Sequence, residues 1–350
     1  FYSEVVAWVF AYVAKALTGS LLSSDPAQTQ ASFDALVTDP VQSLLWQWVV
    51  LGFIGGILLL GVTKGIEAVT KRLMPVLFLL LLLLCGYSLT LPGRGEALAF
   101  LFAPEWQRIT PAVVLTAMGL AFFKLSIGMG TMMTYGSYFT PGQNIPATAT
   151  RVMLADLSVS LLAGMAIFPA VFSFGFAPSA GPSLVFITIP AVFAQMPGGQ
   201  LLLAAFFILT AIAATGAMLS IMEVPVVILH ERWGLTRPRA TLLTLLVLML
   251  LGAGCALSQS TLAHVRPGGR TLFDWADYLS SNLLMPAGGI AIALFVGWAW
   301  GEHAFAAQLS NQGELNNRGL ARVLCLLLRW VTPALILLVM LTGLGVFPGV

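Results

Sequence analysis

Long apolar runs alternate with short polar segments along the whole chain. Each run approaches or exceeds the roughly 20 residues that a helix needs to cross a bilayer. The nine runs lie near residues 1–20, 44–63, 73–91, 110–139, 152–174, 200–230, 239–257, 273–300 and 323–347. This pattern predicts an all-α polytopic membrane protein with about nine transmembrane helices.

The composition agrees with that prediction. Hydrophobic residues make up 59% of the 350 residues and charged residues only 9%, whereas soluble domains carry about 25% charged residues. A lipid bilayer is therefore the expected environment. The net charge of +2 gives no indication of a nucleic-acid partner.

The run at residues 110–139 has two features that a plain spanning helix avoids. Gly128 and Gly130 weaken the helix near its middle, and Lys124 places a charge where it costs at least about 2.5 kcal/mol. Broken helices at membrane depth occur where they are buried in protein or line a watery cavity. In secondary transporters such breaks form the binding site. We therefore predict a transporter whose binding site includes residues 122–130.

Basic residues are distributed unevenly between alternate loops. Nine of them fall on one side (Lys64, Lys71, Arg72, Arg151, Arg232, Arg237, Arg239, Arg318 and Arg322). Four fall on the other side (Arg94, Arg108, Arg266 and Arg270). The positive-inside rule assigns the first set to the cytoplasm. Residues 21–43 are then outside and residues 231–239 inside.

Residues 175–199 are apolar but contain four prolines, which is too many for a continuous spanning helix. We predict an external loop with short helices that caps a single transmembrane domain spanning residues 1–350.

Few ionisable residues lie within the predicted spans. Those identified are Glu4, Lys124, Asp156, Glu223 and, near span ends, Asp274 and Asp277. A charge without a partner is costly in an apolar environment, so we expect Lys124 and Asp156 to meet. Such a pair has two equally weighted interpretations: part of an ion or substrate pathway, or a static salt bridge between helices.

Glu223 lies two residues before Pro225. It is either a proton-relay carboxylate or, as we favour by about two to one, a hydrogen-bonding partner of backbone groups freed near the proline.

No motif indicates an enzyme. The sequence contains no HExxH, CxxC or Walker-type loop, and His230, His264 and His303 are far apart. The three cysteines lie in apolar runs without pairing or metal-binding spacing. We therefore expect no cofactor.

Several stretches resemble the neurotransmitter:sodium symporter family, which includes the bacterial leucine transporter and the amine and GABA transporters. FFKLSIGMGTMMTYGSYF (residues 122–139) resembles its broken sixth helix. Further matches in chain order are FYSEVVAW with the third helix, ADLSVSLLAGMAIFPAVF with the seventh, SIMEVPVVILHERWG with the eighth and TLFDWADYLSSNLLMPAGG with the tenth. The resemblance covers essentially the whole chain.

The resemblance implies the leucine-transporter-type fold, with two inverted repeats of five helices and additional C-terminal helices. This chain then runs from the third to the eleventh helix. We accordingly expect it to lack the first two, which carry much of the family's substrate and sodium sites.

The resemblance also implies a substrate site. Tyr2 corresponds to the tyrosine that holds the substrate carboxylate, and Phe123 to the aromatic lid. The other substrate-binding positions are Lys124, Ser126, Ile127, Gly128, Met129 and Ile221. Asp277 corresponds to the external gate, and Tyr138 and Glu231 to the cytoplasmic gate.

The ion-site positions depart from the family pattern. Lys124 stands where relatives carry the Ser or Thr that ligates the first sodium, and Asp156 corresponds to another ligand of that ion. Because a lysine ammonium is a tethered monovalent cation, it is expected to occupy the sodium position. At the second sodium site the positions are Ala213, Gly216 and Ala217, beside Thr215, where the family has Thr-Ser or Ser-Ser. Leu120 replaces a glutamine of the chloride region, which predicts no chloride dependence.

The function that follows is alternating-access transport of an amino acid or small amine across the bacterial inner membrane. Two versions of coupling stay open: sodium symport with the first sodium replaced by the Lys124–Asp156 pair, or proton-coupled or sodium-independent transport. A transport-dead ligand sensor on the same fold is the alternative from another class. The sequence does not decide between a monomer and a homo-oligomer, and it does not name the substrate.

Overall fold

The structure, a computed structural model, describes residues 1–21, 23–140, 142–176, 178 and 181–346. Within these ranges the chain is helical, without a β-strand. In chain order the α-helices are α1 (Tyr2–Thr18), α2 (Pro26–Thr38), α3 (Pro40–Leu59), α4 (Ala68–Ser88), α5 (Arg94–Phe102), α6 (Pro111–Lys124), α7 (Thr131–Ser137), α8 (Ile145–Ser173), α9 (Ile189–Ala194), α10 (Gly199–Glu231), α11 (Arg237–Ala256), α12 (Leu272–Tyr278), α13 (Met285–Leu294), α14 (Gly301–Leu309), α15 (Arg318–Leu326) and α16 (Thr332–Gly343).

Seven helical segments of the described chain are long and apolar enough to cross a membrane. They are Pro40–Leu59, Lys64–Ser88, Ile145–Ser173, Gly199–Glu231, Arg237–Gln259, Leu272–Leu309 and Arg318–Gly343. The prediction of an all-α polytopic membrane protein is therefore confirmed.

Two of the nine predicted runs do not appear among these seven, each for a structural reason. Helix α1 is apolar but has 17 residues, which is slightly short for a full span. The run at 110–139 is divided into α6 and α7 by a break at residues 125–130. The break predicted from Gly128 and Gly130 is thus the reason that this run contains no single long helix.

The chain divides into two compact units. The first comprises Phe1–Ala103 and Ser158–Ala276, and the second comprises Pro104–Leu157 and Asp277–Val350. Helix α8 contributes residues to both units.

An aromatic cluster lies in the core of the first unit. Trp8 on α1 contacts Phe33 of α2 edge-to-face, with ring centroids 5.3 Å apart. Phe33 in turn stacks on Phe186 at 5.2 Å and 7°. The Trp8 indole N–H donates to the Glu4 carboxylate at 2.8 Å. Burial of these rings ties α1 to segments far away in sequence.

Two Asp-Pro pairs start helices in the polar segment at residues 21–43. Asp25 accepts a hydrogen bond from the Ala27 N–H, and Asp39 accepts from the Val41 and Gln42 N–H groups. A proline suits the first helical position because its missing N–H needs no partner there. This predicted external loop therefore contains α2.

Residues 175–199 contain the predicted short helices. A π-helical turn, Leu184–Thr188, leads into α9, and Phe186, Ile189 and Phe193 are almost fully buried in the first unit. This burial explains why the segment is apolar despite its prolines. Residues 177, 179 and 180 of this segment lie outside the described residues, and its position outside the membrane stays a prediction.

Five π-helical turns adjoin α-helices in the described residues, and the sequence pattern gave no sign of them. They are Val62–Glu67, Leu184–Thr188, Leu279–Leu284, Phe295–Trp300 and Leu327–Val331. Such turns add a residue to a helix and occur frequently at functional sites. Three of them lie in the second unit, next to the helices that face the broken segment.

Candidate functional site

The break between α6 and α7 has a defined backbone conformation. Ser126 has φ 53°, Gly128 has φ 85° and Gly130 has φ 82°. The Ile127 N–H still donates to the Phe122 carbonyl oxygen at 3.1 Å, so α6 ends in a tight turn. A serine with positive φ is uncommon and costs about 1 kcal/mol or more. This strained turn ends the regular hydrogen bonding of α6, and the helical pattern resumes only at α7.

Close packing against α13 holds the break in place. A Cβ atom added at Gly128 would overlap the Met285 carbonyl oxygen, and one added at Gly288 would overlap the Gly128 carbonyl oxygen. At Gly289 an added Cβ would meet the Phe122 ring. The break can approach this helix only because these positions carry no side chain.

Lys124 and Asp156 form an ion pair in the second unit. Lys124 is the last residue of α6, and its Nζ lies 2.9 Å from Asp156 Oδ2. The side chains are 40% and 33% exposed. The contact predicted from the sequence is therefore present, with a cation fixed beside the broken backbone.

Asp156 lies deeper in its helix than the sequence suggested. Helix α8 begins at Ile145, eleven residues before Asp156, instead of near residue 152. Asn144 Oδ1 accepts a hydrogen bond from the Ala147 N–H, and Pro146 occupies a first-turn position. The carboxylate is thus about three turns inside α8.

The other predicted site residues of the second unit also lie near the break or near helix ends. Phe123 is 36% exposed, and Ile127 and Met129 are at least partly exposed. Asp277 accepts a hydrogen bond from the Ser281 hydroxyl at 2.9 Å. Tyr138 ends α7, with its ring 6.4 Å from the Tyr135 ring.

The remaining predicted site residues lie in the first unit. Tyr2 begins α1 and is partly buried, whereas Glu231 is the exposed last residue of α10. Helix α10 also carries Ala213, Gly216, Ala217 and Ile221, all on its less buried side.

Thr215 does not add a hydroxyl to that side of α10. It is 3% exposed, and its hydroxyl donates to the Ala211 carbonyl oxygen at 2.7 Å. The less buried side therefore offers no side-chain oxygen at positions 213, 216 and 217.

Glu223 has a partner that we did not expect. Its carboxylate oxygens accept hydrogen bonds from Arg237 Nη2 at 2.8 and 2.7 Å. Glu223 is fully buried, and Arg237 also donates to the Leu58 carbonyl oxygen at 3.4 Å. Our preferred interpretation, in which Glu223 bonds backbone groups near Pro225, missed this ion pair because Arg237 had been assigned to a polar cytoplasmic loop.

Comparison with known proteins identifies the family. The profile of the sodium:neurotransmitter symporter family matches residues 37–348. The chain belongs to this family.

In the described part of the chain, no group of three or more His, Cys, Asp or Glu residues is arranged to hold a metal ion.

Relatives of this symporter chain match it over most of its length. An uncharacterised sodium-dependent transporter of Bacillus subtilis, YhdH, is 39% identical over 99% of this chain and 76% of its own length. An uncharacterised sodium-dependent transporter of Haemophilus influenzae is 32% identical over 87% of this chain and 68% of its own length.

A solved structure shares the fold. The crystal structure of MhsT in complex with L-phenylalanine aligns with a TM-score of 0.86 and 37% identity, over 98% of this chain and 77% of that one. This symporter chain is a multi-pass integral membrane protein with a transporter fold, as the resemblance implied.

Proposed function

We propose that this protein is a secondary active transporter of an amino acid or related small amine, working by alternating access in the bacterial inner membrane. The break at residues 125–130 carries the proposal. Its positive-φ turn leaves backbone donors and acceptors at the end of α6, where half-helix termini of transporters hold ligands. Tyr2, Phe123, Ser126, Ile127 and Gly128 are the residues that we assign to substrate contact.

The side chains proposed for the substrate pocket favour an apolar substrate side chain. Met129 and Ile221 supply flexible and branched hydrocarbon, respectively. L-phenylalanine is the compound in the MhsT complex. We therefore propose amino acids with apolar or aromatic side chains as the first compounds to test, with Phe123 as the lid and Asp277, Tyr138 and Glu231 as gate residues.

We propose that the Lys124 ammonium takes the place of the first sodium. It is a monovalent cation held 2.9 Å from Asp156 Oδ2, and it can present its charge to a substrate carboxylate. A sodium ion beside it would face electrostatic repulsion. The donor set therefore does not fit sodium at this position.

We propose that the second sodium site is also weak. Gly216 and Ala217 provide no side-chain oxygen, and hard cations such as sodium need oxygen ligands. Sodium symport with a reduced number of ions is the version closest to the relatives, which are named as sodium-dependent transporters. Proton-coupled or sodium-independent transport is the second candidate, because a tethered ammonium paired with Asp156 would make an ion at the first site unnecessary.

Uptake into proteoliposomes tests the proposal. The native protein is reconstituted, and accumulation and counterflow exchange of radiolabelled phenylalanine, leucine and tryptophan are measured. We expect exchange of at least one of these amino acids, abolished by Tyr2→Phe together with Phe123→Ala. Saturable binding without any exchange would indicate a ligand sensor instead, and neither binding nor exchange across all twenty amino acids and common amines would overturn the proposed function.

A further inference from the structure

The cytoplasmic end of the last described helix carries three arginines with regular spacing. Arg318 and Arg322 lie on α15 four residues apart, and Arg329 follows seven residues later. Spacings of four and seven residues bring side chains to one side of a helix. We call Arg318, Arg322 and Arg329 the arginine seam, because they follow the line where this helix meets the segment from Phe295 to Leu309.

The arginine seam lies beside an exposed apolar surface. Leu320, Val323 and Leu326 are between 46% and 61% exposed. Helix α15 is the first part of the apolar segment Arg318–Gly343, and long charged side chains near the end of a spanning helix extend towards the headgroups. Helix α15 is therefore suited to the boundary between headgroups and acyl chains.

Arg329 is fixed by contacts between two π-helical turns. Its Nε donates to the Gly297 carbonyl oxygen at 2.9 Å, and the Trp298 indole N–H donates to the Arg329 carbonyl oxygen at 3.2 Å. The guanidinium also lies 5.0 Å from the Trp298 ring centre. A Cβ atom at Gly297 would come within 2.8 Å of Arg329 Cα, so glycine permits this approach. The guanidinium is thus held at the seam with its two terminal nitrogens available.

The positive charge of the seam is only partly compensated. Arg322 Nε lies 3.4 Å from Glu302 Oε1, with side chains 79% and 52% exposed; such a pair contributes little. Within the described ranges, neither Arg318 nor Arg329 has an ion-pair partner. Three cations therefore face one carboxylate.

Exposed tryptophans indicate the level of the membrane at which the arginine seam lies. Three of the nine tryptophans lie here: Trp298, Trp300 and Trp330 are 52%, 43% and 60% exposed. Tryptophan is enriched where a membrane protein crosses the headgroup region. The positive-inside rule also assigns Arg318 and Arg322 to the cytoplasmic side. Arg329 lies beside these tryptophans, so anionic headgroups are expected between it and the end of the helix at Arg318.

We propose that the arginine seam binds the phosphodiester headgroup of an anionic phospholipid. Arginine recognises phosphate oxygens through paired N–H donors, and basic pockets between transmembrane helices on the cytoplasmic side hold such headgroups. Leu326 and Leu327 are exposed beside the guanidinium groups and provide a surface for an acyl chain. The bound lipid would join α15 to α14 and would stabilise this end of the protein independently of the transported substrate.

Thermal unfolding of the purified, delipidated protein tests this inference. Micelles supplemented with phosphatidylglycerol are compared with micelles supplemented with phosphatidylcholine. We expect a higher unfolding temperature with phosphatidylglycerol, and loss of at least half of that difference in Arg318→Gln/Arg322→Gln. The control is Arg151→Gln/Arg232→Gln, which removes the same charge from other predicted cytoplasmic positions and should keep the whole difference. Native mass spectrometry counts the lipids that each variant retains.

Several outcomes would overturn the proposal. They are an equal effect of the two lipids, an equal loss in the control variant, or a matching shift with inorganic phosphate alone. None of these outcomes depends on substrate transport, so the proposed function is tested separately.

Discussion

Lys124 Nζ lies 2.9 Å from Asp156 Oδ2, at the point where α6 stops being a helix. An unpaired ammonium or carboxylate is costly in an apolar environment, and here each group provides the other with an opposite charge. In the function that we propose, this ammonium takes the place of the first sodium ion. The proposal therefore connects the ion pair at the end of α6 to ion coupling through one side chain.

Replacement of Asp156 by Asn tests the importance of the carboxylate charge. The Lys124 side chain is 40% exposed and the Asp156 side chain 33% exposed. Solvent therefore screens their interaction, which contributes at most about 1 kcal/mol. We expect initial uptake rates to fall by up to about fivefold and to recover partly in Lys124→Ser/Asp156→Asn. Glu105→Gln, which removes the exposed pair with Arg108, serves as the control. Equal rates in Asp156→Asn and the control would show that the charge is unimportant.

The second ion site can be tested by restoring oxygen ligands. An added Cβ at Gly216 meets only Met74 Cε, at 3.9 Å, so a Cβ atom is not crowded at this position. We expect Gly216→Thr/Ala217→Ser to increase the sodium dependence of substrate binding, measured by equilibrium binding across a sodium titration. The reference is Gly216→Ala, which adds volume without oxygen. If the two variants have the same sodium dependence, this part of α10 does not limit ion binding.

The Glu223–Arg237 pair should matter more for stability than any exposed pair. Glu223 is fully buried, and removal of one partner from a buried pair costs about 3–5 kcal/mol. We expect Glu223→Gln to lower the unfolding temperature clearly, measured by fluorescence in detergent.

The matched control for that substitution is Glu67→Gln. It breaks the exposed Lys71–Glu67 pair, which should contribute less than about 1 kcal/mol. The double variant Glu223→Met/Arg237→Met should recover stability, since no charge is then left buried. Indistinguishable unfolding temperatures for the two single variants would contradict the buried pair.

Replacement of Gly128 by Ala tests whether substrate binding depends on the backbone geometry of the break. Its φ of 85° costs an L-residue about 1–2 kcal/mol, and an added Cβ would overlap the Met285 carbonyl oxygen. We expect Gly128→Ala to reduce substrate affinity by more than tenfold, measured by equilibrium binding. Gly136 in α7 has open space around it, so Gly136→Ala should bind normally. Normal affinity in Gly128→Ala would mean that the break does not hold substrate.

Some of this structure was predictable from the sequence. The length of apolar runs indicated the membrane fold, because a bilayer fixes the length of its helices. The closely spaced Gly128 and Gly130 indicated the break in the run at 110–139, since two glycines within three residues weaken a helix more than a single glycine does. Lys124 and Asp156 could be paired because few charges lie within the predicted spans.

Other features depend on tertiary contacts that a single sequence does not reveal. Arg237 was assigned to a loop, yet it begins α11 and reaches a buried carboxylate on α10. Arg329 lies within the predicted run at 323–347 but was left out of the charges assigned to the spans. Its partner, a backbone carbonyl in a π-helical turn, has no sequence signal. Positive φ at Ser126 had no sequence signal either, because serine rarely adopts that conformation.

The ion dependence of uptake by the native protein and by Lys124→Ser is the most direct test of the central claim. Initial uptake into proteoliposomes is measured with sodium varied at fixed pH, and with pH gradients varied at fixed sodium. The account predicts that the sodium dependence of uptake is new or steeper in Lys124→Ser than in the native protein, because the lysine no longer occupies the first sodium position. Strict sodium dependence in the native protein, insensitive to a pH gradient and unchanged in Lys124→Ser, would contradict it.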